Sequence, residues 1–142
     1  MNSADNQWSD DQLRALLSGV KTIAMIGASS RLDRPSHGVM KVLLHAGFRV
    51  IPITPREDSV LGQRAFKTLA DVPEQIDVVD VFRRADETPP IAREAVSIAA
   101  RVFWLQLGIV NEEAATIARQ GGLSVVMDRC IGQTVHRLGI TV

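Results

Sequence analysis

Apolar residues along this chain fall into short dense runs, and between the runs they recur at helical spacing. Lys21 to Gly27 (KTIAMIG) is the first run, rich in β-branched residues and closed by glycine. A run without polar alternation is expected of a strand covered on both faces. Phe48 to Ile53 (FRVIPI), Ile76 to Phe82 (IDVVDVF), Arg101 to Leu107 (RVFWLQL) and residues 123–127 (LSVVM) repeat the pattern. Pro52 marks a strand end or an irregular position within the sheet. Asp77 and Asp80 interrupt the third run, and hydrogen bonding to neighbouring loops is the simplest use for them. Trp104 inside the fourth run reads as core.

The intervening segments predict helices. Ser9 with Asp10 and Asp11 looks like a helix start, and Leu13, Leu16 and Leu17 form its apolar stripe up to Gly19. Val39, Val42, Leu43 and Ala46 share one face before Gly47. Pro89 and Pro90 sit in a tolerated first turn, followed by Ile91, Ala95, Ile98 and Ala99 as a buried stripe. Asn111 caps EEAATIARQ, which Gly121 and Gly122 end. The segment TPREDSVLGQRAFKTLADVPEQ is irregular, with a short extended piece and a turn of helix near Thr68 to Val72. Asp128 onward reads as a tail with a final turn.

Strand and helix alternating in so short a chain predict an α/β fold: a Rossmann-like doubly wound parallel sheet of about five strands in order 3-2-1-4-5, with helices on both faces. One domain is expected over 1–142, with a core at about 20–130 and a covering helix at about 9–18. In such sheets the ligand lies beyond the carboxyl ends of the strands, where the order reverses beside the first strand.

Composition narrows the function. With 46% hydrophobic and 23% charged residues among 142, the chain is neither disordered nor collagen-like. Sixteen basic residues balance sixteen acidic ones, so no global field holds a nucleic acid or an anionic membrane, and any anion must be met locally. The start, MNSADNQWSDDQL, lacks the order of a signal peptide and no run is long enough to span a bilayer, so a cytoplasmic protein is expected. The single cysteine, Cys130, excludes an intrachain disulfide, and three scattered histidines (His37, His45, His136) do not make a closed zinc site. No metal is expected.

The candidate chemistry sits at the strand ends. Gly27, Ala28, Ser29 and Ser30 offer close backbone approach, hydroxyls and the N-terminus of the next helix, a cradle for phosphate. The long loop beyond carries Arg31, Asp33 and Arg34. Its helix-start His37 reads as simply exposed. The second strand ends in Thr54, Pro55 and Arg56, where a protein selecting NAD would normally carry an acidic residue; with the glycine fingerprint incomplete, a ligand phosphorylated on its adenosine ribose is favoured. NADP and coenzyme A both qualify. The other ends are Phe82-Arg83-Arg84, Gln106-Leu107-Gly108 and Asp128-Arg129-Cys130. Six of the thirteen arginines (Arg31, Arg34, Arg56, Arg83, Arg84, Arg129) thus fall at predicted strand ends.

Three stretches, GASSRLDRPSHGVMKVLLHAGFRVIPITPR, IDVVDVFRR and VFWLQLGIVNEEAATIARQGGLSVVMDRC, resemble the small stand-alone CoA-binding proteins, similar to the N-terminal CoA-binding domain of the succinyl-CoA synthetase alpha subunit. The likeness runs over roughly residues 10 to 138, and WLQLGIVNEEA and VMDRCI are its most specific parts. It implies coenzyme A bound across the strand ends. Gly27, Ala28 and Ser29, with Ser30 and Arg34, match the loop that holds the pyrophosphate; Thr54-Pro55-Arg56 resembles an Asn-Pro-Lys whose basic residue faces the adenosine; Phe82 and Arg83 pack along the ligand. The turn Asp128 to Gly132 echoes a Gly-Pro-Asn-Cys-Pro-Gly turn near the pantetheine thiol. Thr54 for asparagine and Asp128-Arg129 for a neutral pair depart from the pattern.

The synthetases resembled carry their phosphohistidine and nucleotide chemistry on further domains that this chain does not contain. The expected function is therefore a CoA or acyl-CoA binding module, carrier or sensor without complete catalytic machinery. A second reading makes Cys130, with Arg129 favouring its thiolate, a thiol-based enzyme or redox device that exchanges disulfides with CoA; the competing reading of Cys130 is a small buried hydrophobe. An NADP-dependent reductase is the third, weakened by the absence of any tyrosine to donate a proton. An edge strand and Trp8 offer a surface for a homodimer.

Overall fold

The structure, a computed structural model, describes residues 7–142. Helix α1 (Asp10–Leu17) is followed by β1 (Thr22–Ile26), α2 (Pro35–His45) and β2 (Arg49–Ile53). A small hairpin, β3 (Ser59–Val60) and β4 (Gln63–Arg64), precedes a 3-10 turn at Leu69–Asp71. Then come β5 (Val78–Val81), α3 (Thr88–Ser97), β6 (Val102–Leu105), α4 (Glu112–Gln120), β7 (Ser124–Val126) and α5 (Ile131–Leu138).

The five long strands form one parallel sheet with two separate cores. Alternate residues explain both: Ala24, Ile51, Val79, Val81, Phe103 and Leu105 face one layer, closed by Ile91, Ala92 and Ala95 of α3 and Ala114, Ala115 and Ala118 of α4. Ile23, Met25, Val50, Val78 and Trp104 face the other, closed by Leu13 and Leu17 of α1, Met40 and Leu43 of α2, and Ile131 and Val135 of α5. Apolar side chains on both faces of each strand are what made the strands readable as continuous runs.

Within this α/β fold the strand order is β2-β1-β5-β6-β7. In the numbering of the five predicted strands that is 2-1-3-4-5, and it corrects the expected 3-2-1-4-5. The reason lies at the free side of β2. Phe66 N–H donates to Pro52 O at 3.0 Å and Thr54 N–H to Phe66 O at 2.9 Å, so the returning chain already covers that edge. Pro52 turns its outward side, which lacks an N–H, toward this irregular strap, as an edge position allows. The next strand therefore pairs with β1 on its other side, and the reversal still falls beside β1, between β1 and β5.

Three helices differ from expectation. α2 begins four residues before Val39, so Ser36, His37, Met40 and Leu43 are buried and Val42 lies at the surface. α3 stops at Ser97, leaving Ile98 half-buried and Ala99 exposed in a left-handed turn. The supposed tail is α5, with Cys130 as its N-cap and Gly139 in the left-handed conformation at its end. α1 follows expectation: Ser9 and Gln12 form a capping box. Trp8 Nε1 donates to Val125 O at 3.1 Å on the free edge of β7, so this indole is engaged with its own chain.

α1 is held mainly by Leu13 and Leu17, and Leu13 is fully buried. Leu13→Ala should lower the free energy of unfolding by about 2–5 kcal/mol. Chemical denaturation measures it, and a loss well below about 1 kcal/mol would show that α1 is not integral to the core.

Candidate functional site

The site begins at the end of β1, where backbone geometry allows only glycine. Gly27 has φ +89°, and a Cβ there would lie 2.6 Å from the carbonyl oxygen of Phe82. Its N–H donates to Ile53 O at 3.1 Å, while Phe82 N–H donates to Ile26 O at 2.8 Å. The chain thus leaves the sheet pinned between the ends of β2 and β5.

The loop that follows is tied to the start of α2. Ser36 Oγ donates to Gly27 O at 3.1 Å, and His37 Nδ1 lies 3.1 Å from Ser29 O. A carbonyl only accepts, so this nitrogen carries the proton. His37 is therefore 7% exposed and structural, which corrects its reading as a surface residue. No side chain caps α2 and no acidic residue occupies its first turn. The positive end of its dipole is left open to an anion.

Two adjoining cavities occupy the strand ends. One, of about 660 Å³, is lined by Ala28, Ser29, Ser30, Arg31, Thr54, Pro55, Arg56, Glu57 and Glu87. The other, of about 610 Å³, is lined by Pro35, Ser36, Val39, Gln106, Leu107, Ile109, Cys130 and Gln133. Gly27, Arg34, Phe82, Arg83 and Arg84 border both. The first lobe is rich in charge and backbone amides; the second is mostly apolar and has Cys130 in its wall. The two make one cleft with chemically different ends.

Of the residues expected from the sequence, Gly27, Ala28, Ser29, Ser30, Arg34, Thr54, Pro55, Arg56, Phe82, Arg83, Gln106 and Cys130 line this cleft. Gly108 and Arg129 line neither lobe, a correction with a local cause. Gly108 N–H donates to Asp128 Oδ1 at 2.7 Å, and Trp104 Nε1 donates to Arg129 O at 2.7 Å. Both residues serve to bind the β6–α4 loop, the β7–α5 loop and the core together. Glu57, Glu87, Val39, Ile109 and Gln133 were missed. The acidic pair lacked the sign expected of an anion site, and the other three belong to helices or loops whose facing depends on packing. His45 and His136 line a separate groove with Lys41.

The charges at the rim are largely paired. Arg31 meets Asp33 at 3.0 Å, and Arg83 meets Glu87 at 2.7 Å. Arg84 reaches Glu87 at 3.2 Å and Asp86 at 3.6 Å. Glu57 Oε2 accepts from Ser30 N–H at 3.0 Å. Hydrogen bonding from Ser30 holds the Glu57 carboxyl below its usual range, and that from Arg83 does the same for Glu87. The two third-strand aspartates have separate roles. Asp77 Oδ2 accepts from the N–H groups of Lys21 and Thr22 at 2.9 and 3.1 Å. Asp80 is wholly buried; one oxygen accepts from Gln106 Nε2, and the other has no partner. Among the described residues no group of three or more His, Cys, Asp or Glu is placed to hold a metal ion, and no helix is long and apolar enough to cross a membrane.

A Rossmann-like sheet with a two-lobed cleft at its reversal defines a type of fold whose ligand sites lie beyond the carboxyl ends of the strands. Within that type, the profile of the CoA binding domain matches residues 21–135, and the chain belongs to this family. A Bacillus subtilis protein, YneT, is 42% identical over 123 residues, covering 87% of this chain and 91% of its own length. A solved structure from Pyrococcus horikoshii OT3 superposes with a TM-score of 0.90 at 34% identity, over 97% of this chain and 96% of the other. The acetate–CoA ligase (ADP-forming) of Methanocaldococcus jannaschii is 24% identical over 133 residues, which are 88% of this chain but 19% of the ligase. The chain thus corresponds to a small part of that ligase's length.

Burial raises the Asp80 pKa well above the ordinary 3.8, against the opposing bond from Gln106, so folding favours the protonated acid. The unfolded chain ionises first as pH rises, which means that the folded state binds more protons and stability falls with pH. Asp80 should therefore cost stability from about pH 4 upward, until its folded value is passed. Thermal unfolding across this range should show the decline in the wild type and a shallower one in Asp80→Asn. Parallel profiles would mean that Asp80 is charged in the fold.

Proposed function

We propose that this protein binds coenzyme A, free or acylated, at the carboxyl ends of its strands, as a binding module, carrier or sensor in the cytoplasm. One observation carries the reading: a charged lobe and an apolar lobe adjoin across Gly27 and Phe82. Coenzyme A has matching halves, a phosphorylated adenosine diphosphate and a long, weakly polar arm ending in a thiol. The loop amides from Ala28 to Ser30, the open end of α2 and Arg34 would take the pyrophosphate. Arg56 would take the phosphate on the ribose. Pantetheine would run past Phe82 and Gln106 toward Cys130. Membership of the CoA binding domain family supports the same assignment.

Isothermal titration with coenzyme A, acetyl-CoA and NADP tests this. Binding of the CoA compounds is the expected result; binding of NADP alone would overturn it. Arg56→Ala should weaken coenzyme A about tenfold, and dephospho-CoA much less, because a charge-assisted contact to one phosphate is worth about 1.5–3 kcal/mol. Equal losses would place the ribose phosphate elsewhere.

The position of Cys130 in the apolar lobe favours one further reading. Its Sγ accepts from Gln133 N–H at 3.5 Å, at the N-terminus of α5. A thiolate there would attack a disulfide of coenzyme A, forming a protein–CoA disulfide and releasing the second sulfur as thiolate. Mass spectrometry after incubation with the CoA disulfide should show an adduct that Cys130→Ser abolishes. An unmodified wild-type chain would make Cys130 a passive wall of the lobe.

A further inference from the structure

We propose that Glu57 sets the ligand specificity of the cleft: its carboxylate occupies a loop amide that a phosphate oxygen would take, so only a ligand bringing several phosphate charges displaces it. This rests on the reading above insofar as the β1–α2 loop is the anion cradle, but not on the ligand being coenzyme A.

The contact is specific. Ser30 N–H donates to Glu57 Oε2 at 3.0 Å, across from the segment after β2. The neighbouring Arg31 N–H is already satisfied within the loop by Ser29 Oγ at 3.0 Å. Ser30 therefore presents a loop amide that an outside anion can claim, and Glu57 claims it. Carboxylate and phosphate oxygens are equivalent acceptors for such an N–H. The carboxylate reaches the loop from a half-buried residue between exposed Arg56 and Asp58.

Exchange of one anion for another decides what can enter. An incoming monoanion must replace a tethered carboxylate that already neutralises the same amide, and gains little. Around this amide, Arg31 and Arg83 are also held by Asp33 and Glu87. Arg34 and Arg56 border the same lobe and have no ion-pair partner among the described residues. A diphosphate can displace Glu57 with one group and engage these free guanidinium groups with the rest. Selection then follows phosphate number rather than the shape of the nucleoside.

Titration of the full chain with inorganic pyrophosphate and, separately, inorganic phosphate tests this without invoking coenzyme A. Glu57→Ala should bind pyrophosphate about tenfold more tightly than wild type, as loss of a competing charge-assisted hydrogen bond implies. It should also bring inorganic phosphate into the measurable range, with Glu57→Gln intermediate. Asp58→Asn removes the same charge one residue away and should change either affinity by less than about twofold. Unchanged binding in Glu57→Ala, or an equal gain in Asp58→Asn, would overturn the proposal. Weaker binding would overturn it too and make Glu57 a ligand contact. A wild type that ignores coenzyme A while the pyrophosphate series behaves as stated would refute only the proposed function.

Discussion

The close approach of two backbones at Gly27 is the constraint on which the rest depends. β1 lies between β2 and β5, so the chain leaving β1 must turn away between two strand ends. It does so with φ +89° and with no room for a Cβ beside the Phe82 carbonyl. A side chain there would displace either β5 or the loop. The loop would then lose its bond to Ser36, and α2 would no longer point its open end into the cleft. Glycine at this place is thus a packing requirement first, and closeness to a ligand follows from it.

Electrostatics at the cleft are arranged locally, which reconciles a neutral chain with an arginine-rich rim. Rim arginines paired with Asp33, Asp86 and Glu87 stay oriented without creating a large unbalanced field. Exposed pairs of this kind add little stability, so their effect is on the position of the side chains. Asp80 stands apart: burial pushes its pKa up, and it fixes one end of Gln106 whose other side borders the apolar lobe. Cys130 belongs to the same lobe through α5, whose first turn is held near β6 by the bond from Trp104 to Arg129 O.

Most of the sheet was legible in the sequence because both its faces are covered, which removes polar alternation from every strand. Helices were legible where caps or glycines marked their ends, as at Ser9 and Asn111. They were misjudged where the N-terminus has no side-chain cap, as at Pro35, or where a cysteine serves as cap, as at Cys130. The lining of the candidate cleft was legible where it falls at strand ends, from Gly27 to Ser30 and from Thr54 to Arg56. Gly108 and Arg129 stand at strand ends too, yet their backbone groups are tied to Asp128 and Trp104, and neither residue lines the cleft.

Local patterns along the chain, burial on two faces and strands ended by glycine, carry the α/β class, the parallel strands and the neighbourhood of the cleft. Tertiary structure alone decided the strand order, since a strap through Phe66 claims the outer edge of β2 and sends the next strand to the far side of β1. It alone also brought Glu57 onto the Ser30 amide and Gln133 into the wall of the apolar lobe. Those contacts join residues far apart in the chain, and no local spacing encodes a distance that only packing of the sheet and its helices creates.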